Sequence, residues 1–299
     1  MSVIKPVLNT WLRYTEKPSL ARAIDPVRLR RGFETKARIY FHAPRGTRYE
    51  SETIADVPCT TVRAPSADSS EGPLLLYFHG GVYIFGSPRT HRAMLARISR
   101  RTGLPACLPD YRKAPEHPFP AAVEDAVAVY RALAGHPGGV ILGGDSAGGG
   151  LALALNLEIK RLGLPRPLGS FLLSPLTDFT FSHPSVRRNA EADVMLPAHM
   201  TEMAIAMVMQ GRPADDPLIS PIRGEFGGAA PVWICVGDTE ILLDDARLMA
   251  DRLRAQGVET TLRIERDLPH VWPILHNLLP EAGVTLDQIA DWISSLPRG

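Results

Sequence analysis

A serine within the pentapeptide GDSAG at 144–148 is the side chain of this 299-residue chain best placed for covalent chemistry. The pattern G-x-S-x-G follows an apolar stretch at 140–142 and opens a segment with helical spacing at 146–162. Glycines two residues before and after Ser146 remove side chains that would collide with the adjoining strand and helix. The pattern therefore predicts a sharp strand-to-helix turn that presents a nucleophilic hydroxyl, although by itself it also fits a glycine-rich start of a helix.

A second glycine motif, HGGV at 79–82, follows the apolar stretch 74–78. Acyl transfer places negative charge on a carbonyl oxygen, and backbone N–H groups aimed at that oxygen stabilise it. We predict that Gly80 and Gly81 donate two such N–H groups and that Ala147, beside the serine, donates a third. The alternative is a simple glycine turn. We expect His79 to have a structural role in this loop.

An activated serine requires a base, and the base requires an acid that orients it. Four histidines follow Ser146 in the chain: His183, His199, His270 and His276. The first two lie in a proline-rich stretch, and the last lies past the loop that follows the strand predicted at 260–264. His270 lies in that loop, and we predict that it is the base.

Asp238 directly follows the strand predicted at 232–236, and functional groups of sheet enzymes gather at such strand ends. We predict that Asp238 is the orienting acid. Glu240, Asp244 and Asp245 are alternatives in the same segment.

Short apolar segments alternate with amphipathic ones from residue 73 onward, which predicts an α/β fold with a mostly parallel sheet covered on both faces. Predicted strands lie at 74–79, 106–110, 140–142, 168–173, 232–236 and 260–264, and predicted helices at 88–102, 121–134, 146–162, 242–256 and 286–296. Residues 180–225, rich in proline, interrupt the alternation, and a helix at about 198–210 carries a methionine-rich face. Residues 64–72 predict a polar linker or hairpin loop, and an amphipathic helix is expected around Val7–Leu12.

Composition excludes several classes of protein. A net charge of +1, from 33 basic and 32 acidic residues, argues against a dedicated nucleic-acid-binding protein. Three separated cysteines predict neither a disulfide framework nor a zinc cluster. No apolar stretch is long enough for a transmembrane helix and no secretory signal is apparent, so we expect a cytoplasmic protein. Residues 1–50 carry eleven basic and four acidic residues. This local excess most simply marks a solvated face of the cap, and the alternatives are attraction of anionic substrates or of a membrane surface.

Five ordered blocks resemble the hormone-sensitive-lipase-like branch of the α/β-hydrolases, the bacterial family IV esterases. They are HGGVY at 79–83, DYRKAPEHPFPAAVEDA at 110–126, GDSAGGGLA at 144–152, GDTEILLDD at 237–245 and LPHVW at 268–272. The resemblance implies an eight-stranded sheet in a single α/β-hydrolase domain over 1–299, with a cap from 1–48 and about 181–216 and a body from about 49–180 and 217–299. It assigns the nucleophile to Ser146, the acid to Asp238, the base to His270, and the oxyanion donors to Gly80, Gly81 and Ala147.

One position departs from the family motif, because Val82 stands where the loop usually has a third glycine. We expect Val82, Tyr83, Met203 and Met207 to line the substrate pocket. Asp110, Arg112, Glu116 and His117 also match the family, and we expect them to form a buried polar network.

The resemblance implies a carboxylesterase for short- to medium-chain acyl esters of small molecules, acting through an acyl-enzyme without metal or organic cofactor. Alternatives with the same triad are a lactonase, an amidase or an arylacetamide deacetylase, and a small-molecule receptor is a remote one. No nucleic-acid partner is expected, and a homodimer is possible in this family.

Overall fold

The computed structural model describes residues 2–22, 25–67 and 72–297. Within these residues the strands form one eight-stranded sheet in the order β1-β2-β4-β3-β5-β6-β7-β8. Pairs β1–β2 and β2–β4 are antiparallel, and all pairs from β4 to β8 are parallel. The strands are β1 Arg48–Ile54, β2 Val57–Arg63, β3 Leu74–Phe78, β4 Ala106–Pro109, β5 Val140–Asp145, β6 Gly169–Leu173, β7 Val232–Gly237 and β8 Thr260–Glu265. The predicted α/β fold with a mostly parallel sheet is confirmed.

Helices cover both faces of the sheet, and each face has its own apolar core. One core packs against α5, α6 and α9, and the other packs against α4 and α10. The helices are α1 Ile4–Trp11, α2 Lys17–Ala21, α3 Pro26–Tyr40, α4 Pro88–Thr102, α5 Ala121–Leu133, α6 Ala147–Leu162, α7 Ser185–Arg188, α8 Thr201–Met209, α9 Leu243–Ala255 and α10 Pro280–Ser295. Strands β3 to β7 are buried along their whole length, as expected for parallel strands covered on both faces.

Most helices and strands begin and end within a few residues of their predicted bounds, because capping residues and glycines mark these ends in the sequence. Helix α4 begins after Ser87 with a capping box to Thr90 and ends at Gly103, which has φ +73°. Helix α10 is longer than predicted, because it begins at Pro280 rather than at residue 286. The hairpin β1–β2 was not predicted from the pattern, since nearly all of β1 is exposed and polar. Residues 68–71 of the predicted 64–72 loop lie outside the described residues.

The N-terminal arm packs only part of its apolar surface against the rest of the molecule. Leu8 and Leu12 are buried, whereas Val7 and Trp11 of the same predicted helix are exposed. Basic side chains of the arm donate to backbone carbonyls elsewhere: Lys5 Nζ lies 2.8 Å from the carbonyl oxygen of Arg266, and Lys17 Nζ lies 2.6 Å from that of Asp193. Part of the arm's positive charge is therefore used internally and does not form a purely solvated face.

Between β6 and β7 the chain leaves the sheet, as the proline-rich stretch predicts. This segment contains α7, a 3₁₀ turn at Ala198–Met200 and α8. In the described part of the chain, no helix is long and apolar enough to cross a membrane.

Candidate active site

Ser146 lies at the sharp turn between β5 and α6, with φ +52° and ψ −123°. A non-glycine residue is strained in this backbone region. A Cβ atom at Gly144 would lie 2.2 Å from the carbonyl oxygen of Gly148, and one at Gly148 would lie 2.0 Å from that of Phe78. The glycines are therefore required by steric contact, as the sequence pattern predicts.

The Ser146 and His270 side chains line one cavity of about 650 Å³. Gly80, Gly81 and Val82 form part of the same wall. The remaining lining is largely apolar and comes mostly from the N-terminal arm and from the segment between β6 and β7, including Phe33, Leu196, Met200, Met203 and Met207. The tertiary structure thus brings together the predicted nucleophile, the predicted base, the glycine loop and the two predicted methionines.

Tyr83 is an exception among the predicted lining residues. Its ring is buried beside Tyr111 and Phe179 in the core and does not line the cavity. Both Val82 and Tyr83 have positive φ angles, +48° and +62°. The chain therefore turns sharply after Gly81, and this turn directs Tyr83 into the core.

Glu240, not Asp238, accompanies His270. The Nδ1 atom of His270 lies 2.6 Å from Oε2 of Glu240, and both side chains are buried. The Oδ1 atom of Asp238 instead accepts a hydrogen bond from the backbone N–H of Asp267 at 2.8 Å. The prediction that Asp238 is the orienting acid is therefore wrong, and the alternative Glu240 occupies that position.

The other two alternatives have different partners. Asp244 accepts from the backbone N–H of Ser185 and from Arg188. Asp245 accepts from the backbone N–H groups of Thr177 and Asp178. Both carboxylates tie the segment after β6 to α9.

Hydrogen bonds hold the Glu240 carboxylate in place. Its Oε1 atom accepts from the hydroxyl of Ser174 at 2.8 Å and from the backbone N–H of Gly237. The same Ser174 hydroxyl accepts from the backbone N–H of Val271 at 3.2 Å. Ser174 therefore links the acid to the residue that follows His270, a link that no sequence motif indicated.

The pKa of His270 is raised above its ordinary value. Burial alone would lower this pKa, but the hydrogen bond and negative charge of Glu240 outweigh burial, and the charges of Asp193 and Asp145 add to the same effect. Asp193 is a second buried carboxylate next to the acid, since its Oδ2 accepts from the backbone N–H of Ile241 at 2.9 Å. The site therefore favours the protonated imidazole that forms when His270 accepts a proton.

The glycine loop corrects one of the predicted oxyanion donors. The N–H of Gly80 donates to Oδ1 of Asp145 at 3.0 Å, so it is not available to a substrate oxygen. Within the described residues, the N–H groups of Gly81, Val82 and Ala147 have no hydrogen-bond acceptor. The available donors are therefore Gly81, Val82 and Ala147, shifted by one residue in the loop relative to the prediction.

Two β-branched residues adopt the left-handed region beside the cavity. Val82 has φ +48°, and Val271, directly after His270, has φ +50°. A β-branched side chain rarely occupies this region, and each such residue costs on the order of 1–3 kcal/mol. With Ser146, three strained residues surround one cavity, the kind of location at which backbone strain accumulates in functional sites.

His79 lies behind the loop and does not line the cavity, in agreement with a structural role. Its ring stacks on Tyr111 at a centroid distance of 4.3 Å, and the Tyr111 hydroxyl donates to the His79 carbonyl oxygen at 2.7 Å. Burial lowers the pKa of His79 well below its ordinary value. A neutral ring in a stack supports the loop and is unsuited to proton transfer at the substrate.

The residues expected to form a buried polar network are instead exposed. Asp110, Arg112, Glu116 and His117 all lie at the surface. Arg112 pairs with Asp125, and Glu116 forms a two-pronged pair with Arg30 of α3 at 2.7–2.8 Å. The prediction of a buried network is therefore wrong: all four residues are exposed, although Arg112 reaches the buried carboxylate of Asp125.

No group of three or more histidine, cysteine, aspartate or glutamate side chains within residues 2–22, 25–67 and 72–297 is arranged to hold a metal ion.

Comparison with known proteins places these features in a family context. A family model for the alpha/beta hydrolase fold matches residues 75–274. The chain is 37% identical over 214 residues to an acetyl-hydrolase of Streptomyces hygroscopicus, covering 71% of this chain and 72% of that protein. It is 33% identical over 235 residues to an esterase of Acinetobacter venetianus, covering 77% of each chain.

Solved structures agree over almost the whole chain. The crystal structure of EstE5 soaked with p-nitrophenyl butyrate superposes with a TM-score of 0.91 at 38% identity, covering 98% of each chain. An esterase described as belonging to the bacterial hormone-sensitive lipase family superposes with a TM-score of 0.91 at 34% identity, covering 99% of each chain.

Proposed function

Because this chain belongs to the hormone-sensitive-lipase-like esterases of the α/β-hydrolase fold, we propose that it cleaves carboxylic esters through Ser146, His270 and Glu240. The observation that carries this triad is the 2.6 Å contact between His270 Nδ1 and Glu240 Oε2, in a histidine that lines the same cavity as Ser146. Because Nδ1 makes that contact, we propose that the other ring nitrogen, Nε2, transfers the proton.

In the proposed acylation step, the Ser146 hydroxyl attacks the ester carbonyl carbon while His270 Nε2 accepts its proton. Glu240 holds the imidazole tautomer and stabilises the imidazolium. The N–H groups of Gly81, Val82 and Ala147 stabilise the oxyanion. The carbon–oxygen bond to the alcohol then breaks, and His270 returns the proton to the departing alkoxide.

Deacylation follows the same route with water as the nucleophile. His270 accepts a proton from water as the water oxygen attacks the acyl-enzyme carbonyl. The bond to Ser146 breaks, the serine oxygen regains its proton from His270, and the carboxylic acid leaves. Each proton removed is returned, so the cycle balances without a cofactor.

We propose short- to medium-chain acyl esters as substrates, as the resemblance to the family implies. The largely apolar lining near Ser146, with several leucine, phenylalanine and methionine residues, suits an acyl chain, and thioethers adapt to chains of different shape. Residues 1–48 and 181–216 supply most of this lining outside the sheet, and we propose that these two segments form the cap of a single catalytic domain.

Hydrolysis of p-nitrophenyl esters from acetate to hexanoate tests this proposal. Wild-type protein is expected to hydrolyse them, and Ser146→Ala is expected to lose at least about a thousandfold in kcat. Unchanged hydrolysis by the variant would exclude Ser146 as the nucleophile.

The bond type is tested with a lactone and an anilide assayed beside the esters. Ester hydrolysis at a clearly higher kcat/KM supports the carboxylesterase, whereas a higher value on the lactone or the anilide supports the corresponding alternative. Mass spectrometry of His270→Ala incubated with p-nitrophenyl butyrate tests the intermediate, because without the base any acyl group transferred to Ser146 is removed slowly.

A further inference from the structure

Arg30 of α3 uses all three guanidinium nitrogens in contacts with the loops that follow β3 and β4. Its Nε atom donates to the carbonyl oxygen of Ile84 at 2.8 Å, and Nη2 donates to that of Ala114 at 2.7 Å. Both Nη atoms also donate to the Glu116 carboxylate. Arg30 itself does not line the cavity, so any effect it has on the site passes through the residues that it holds.

Ile84 belongs to the same short turn as the two loop donors of the oxyanion hole. We call residues 81–85 the oxyanion turn. The backbone N–H groups of Ile84 and Phe85 both donate to the carbonyl oxygen of Gly81, at 2.8 and 3.0 Å. Gly81, Val82, Ile84 and Phe85 all line the cavity. Because the turn is closed by these short hydrogen bonds, a displacement of Ile84 also displaces the N–H groups of Gly81 and Val82.

The oxyanion turn requires support from outside, because two successive residues in it adopt the left-handed region. Val82 has φ +48° and Tyr83 has φ +62°. Non-glycine residues persist in this region only where surrounding contacts hold them. The N–H of Ala114 supplies one contact, donating to the carbonyl oxygen of Tyr83 at 2.9 Å. Arg30 supplies another, since it binds the carbonyl oxygens of both Ile84 and Ala114 and so clamps the two loops together.

Further contacts fix the same side of α3 to the end of the turn. Phe33 and Glu34 lie three and four residues after Arg30, so the three side chains share one side of the helix. The Phe33 ring meets the Phe85 ring edge to face at a centroid distance of 5.6 Å. The Glu34 carboxylate accepts from the hydroxyl of Ser87 at 3.0 Å. A helix of the N-terminal arm is therefore attached along the whole end of this loop.

The two carbonyl contacts require an arginine more than the ion pair does. The Glu116 side chain is 48% exposed, and ion pairs at the surface contribute little to stability. A guanidinium group is a rigid fork that reaches several acceptors at once, whereas a lysine ammonium is a single point charge. Hydrogen bonding to Arg30 lowers the pKa of Glu116 to about 2, so the carboxylate stays ionised near neutral pH and keeps orienting the guanidinium.

We propose that Arg30 is a positioning residue for ester hydrolysis, which holds the oxyanion turn so that the N–H groups of Gly81 and Val82 meet the oxyanion. This role rests on the proposed esterase function. It makes α3 a support of the oxyanion hole even for esters too small to touch the arm. Because the oxyanion forms only on the way to the transition state, loss of Arg30 is expected to lower kcat and to leave KM almost unchanged.

Arg30→Met and Arg30→Lys test this role on p-nitrophenyl acetate. Each is expected to lower kcat at least about tenfold with KM within about threefold of wild type, since a misplacement of about 1 Å can cost about a hundredfold in rate. A rise in KM at unchanged kcat contradicts the role. Arg30→Lys keeps a charge beside Glu116, so wild-type kcat in this variant would show that the ion pair suffices and would overturn the role of the carbonyl contacts.

Arg252→Met is the matched control. Arg252 of α9 donates from Nε to the carbonyl oxygen of Gly224 at 2.8 Å, and from Nη2 to the carbonyl oxygen of Arg223 and the carboxylate of Glu225. This set of acceptors matches that of Arg30, but Arg252 holds no residue of the cavity lining. Its kcat is expected to stay within about threefold of wild type. An equal loss of kcat in both methionine variants overturns the positioning role.

Inhibition by a trifluoromethyl ketone gives a readout that a loss of folded protein does not imitate. The Ser146 oxygen bonds to the ketone carbon, the hydroxyl proton passes to His270, and the ketone oxygen becomes an oxyanion. In the Arg30 variants, the Ki of this ketone is expected to rise by the factor by which kcat/KM falls. The Ki of the corresponding methyl ketone, which forms little adduct, is expected to stay within about threefold. An unchanged Ki for the trifluoromethyl ketone overturns the proposal.

The wild-type protein distinguishes the two possible failures. If it neither hydrolyses p-nitrophenyl acetate nor binds the trifluoromethyl ketone more tightly than the methyl ketone, the proposed esterase function fails and the role of Arg30 fails with it. If it does both, and the Arg30 variants behave like Arg252→Met, only the positioning role fails.

Discussion

The carboxylate of Glu240 lies 2.6 Å from Nδ1 of His270, while the carboxylate of Asp238, two residues earlier, accepts from the backbone N–H of Asp267. Both acids follow β7, so both lie at the same edge of the sheet. The turn at 237–240 separates their roles, since Glu240 reaches back to the N–H of Gly237.

Replacing Glu240 by glutamine is expected to lower kcat by about 10⁴, because the amide no longer stabilises the imidazolium or selects the tautomer. Asp238→Asn is the matched control, and we expect its kcat to stay within about tenfold of wild type. Steady-state kinetics on p-nitrophenyl butyrate measures both. A larger loss of kcat for Asp238→Asn than for Glu240→Gln would show that Asp238 is the orienting acid.

The pH dependence of kcat/KM reports the protonation of His270 in the free enzyme. The base must be neutral to accept the Ser146 proton, so activity falls as the pH drops through the pKa of His270. The carboxylates around it raise this pKa, so we expect the acid limb above the ordinary histidine value of 6.5. In Glu240→Gln, the acid limb of the residual kcat/KM is expected to lie at lower pH than in the wild type. A wild-type limb below 6.5 would contradict the raised pKa.

We expect Asp193 to contribute to the stability of the protein and to the acid limb of the kcat/KM profile. Its carboxylate accepts from the backbone N–H groups of Met195, Leu196 and Ile241. In Asp193→Asn the amide NH₂ group replaces one carboxylate oxygen and faces a backbone N–H, so two donors oppose each other. We expect the free energy of unfolding to fall by roughly 1–3 kcal/mol. The loss of a negative charge near His270 is also expected to move the acid limb to lower pH.

Denaturant unfolding and the pH profile measure these two effects. Asp216→Asn is the control, since Asp216 caps the backbone N–H of Leu218 in a similar local turn but does not act on the pKa of His270. If Asp193→Asn lowers stability without moving the limb, the charge of Asp193 has no part in setting the pKa of the base.

Val82 combines backbone strain with bulk beside the substrate, and two substitutions separate these contributions. Val82→Ala removes the side chain but keeps a Cβ atom at φ +48°, so it is expected mainly to broaden acceptance of bulkier esters. Val82→Gly also removes the strain, and we expect it to be more stable than Val82→Ala by about 1 kcal/mol.

Thermal unfolding and the ratio of kcat/KM for hexanoate to acetate esters measure the Val82 variants. Equal stability of the glycine and alanine variants would show that the left-handed backbone at 82 carries no strain. An unchanged ester ratio in both variants would show that the Val82 side chain does not limit the pocket.

The local sequence already determined the strand-to-helix turn at Ser146, the loop position of His270 and the parallel sheet. These features depend on steric contacts and hydrophobic periodicity among residues that are close together in the chain. Gly144 shows this most directly, because a Cβ atom there would meet the carbonyl oxygen of Gly148, four residues later, at 2.2 Å.

Tertiary structure alone decided which acid meets His270 and which N–H groups are available in the glycine loop. Asp238 and Glu240 both follow β7, and the hydrogen bond from Ser174, 66 positions earlier in the chain, holds the Glu240 carboxylate beside His270. Gly80 is a donor by motif, but Asp145, which lies 65 positions later in the chain, accepts its N–H. Hydrogen bonds between residues distant in sequence select one of several locally equivalent groups, and no local pattern records that selection.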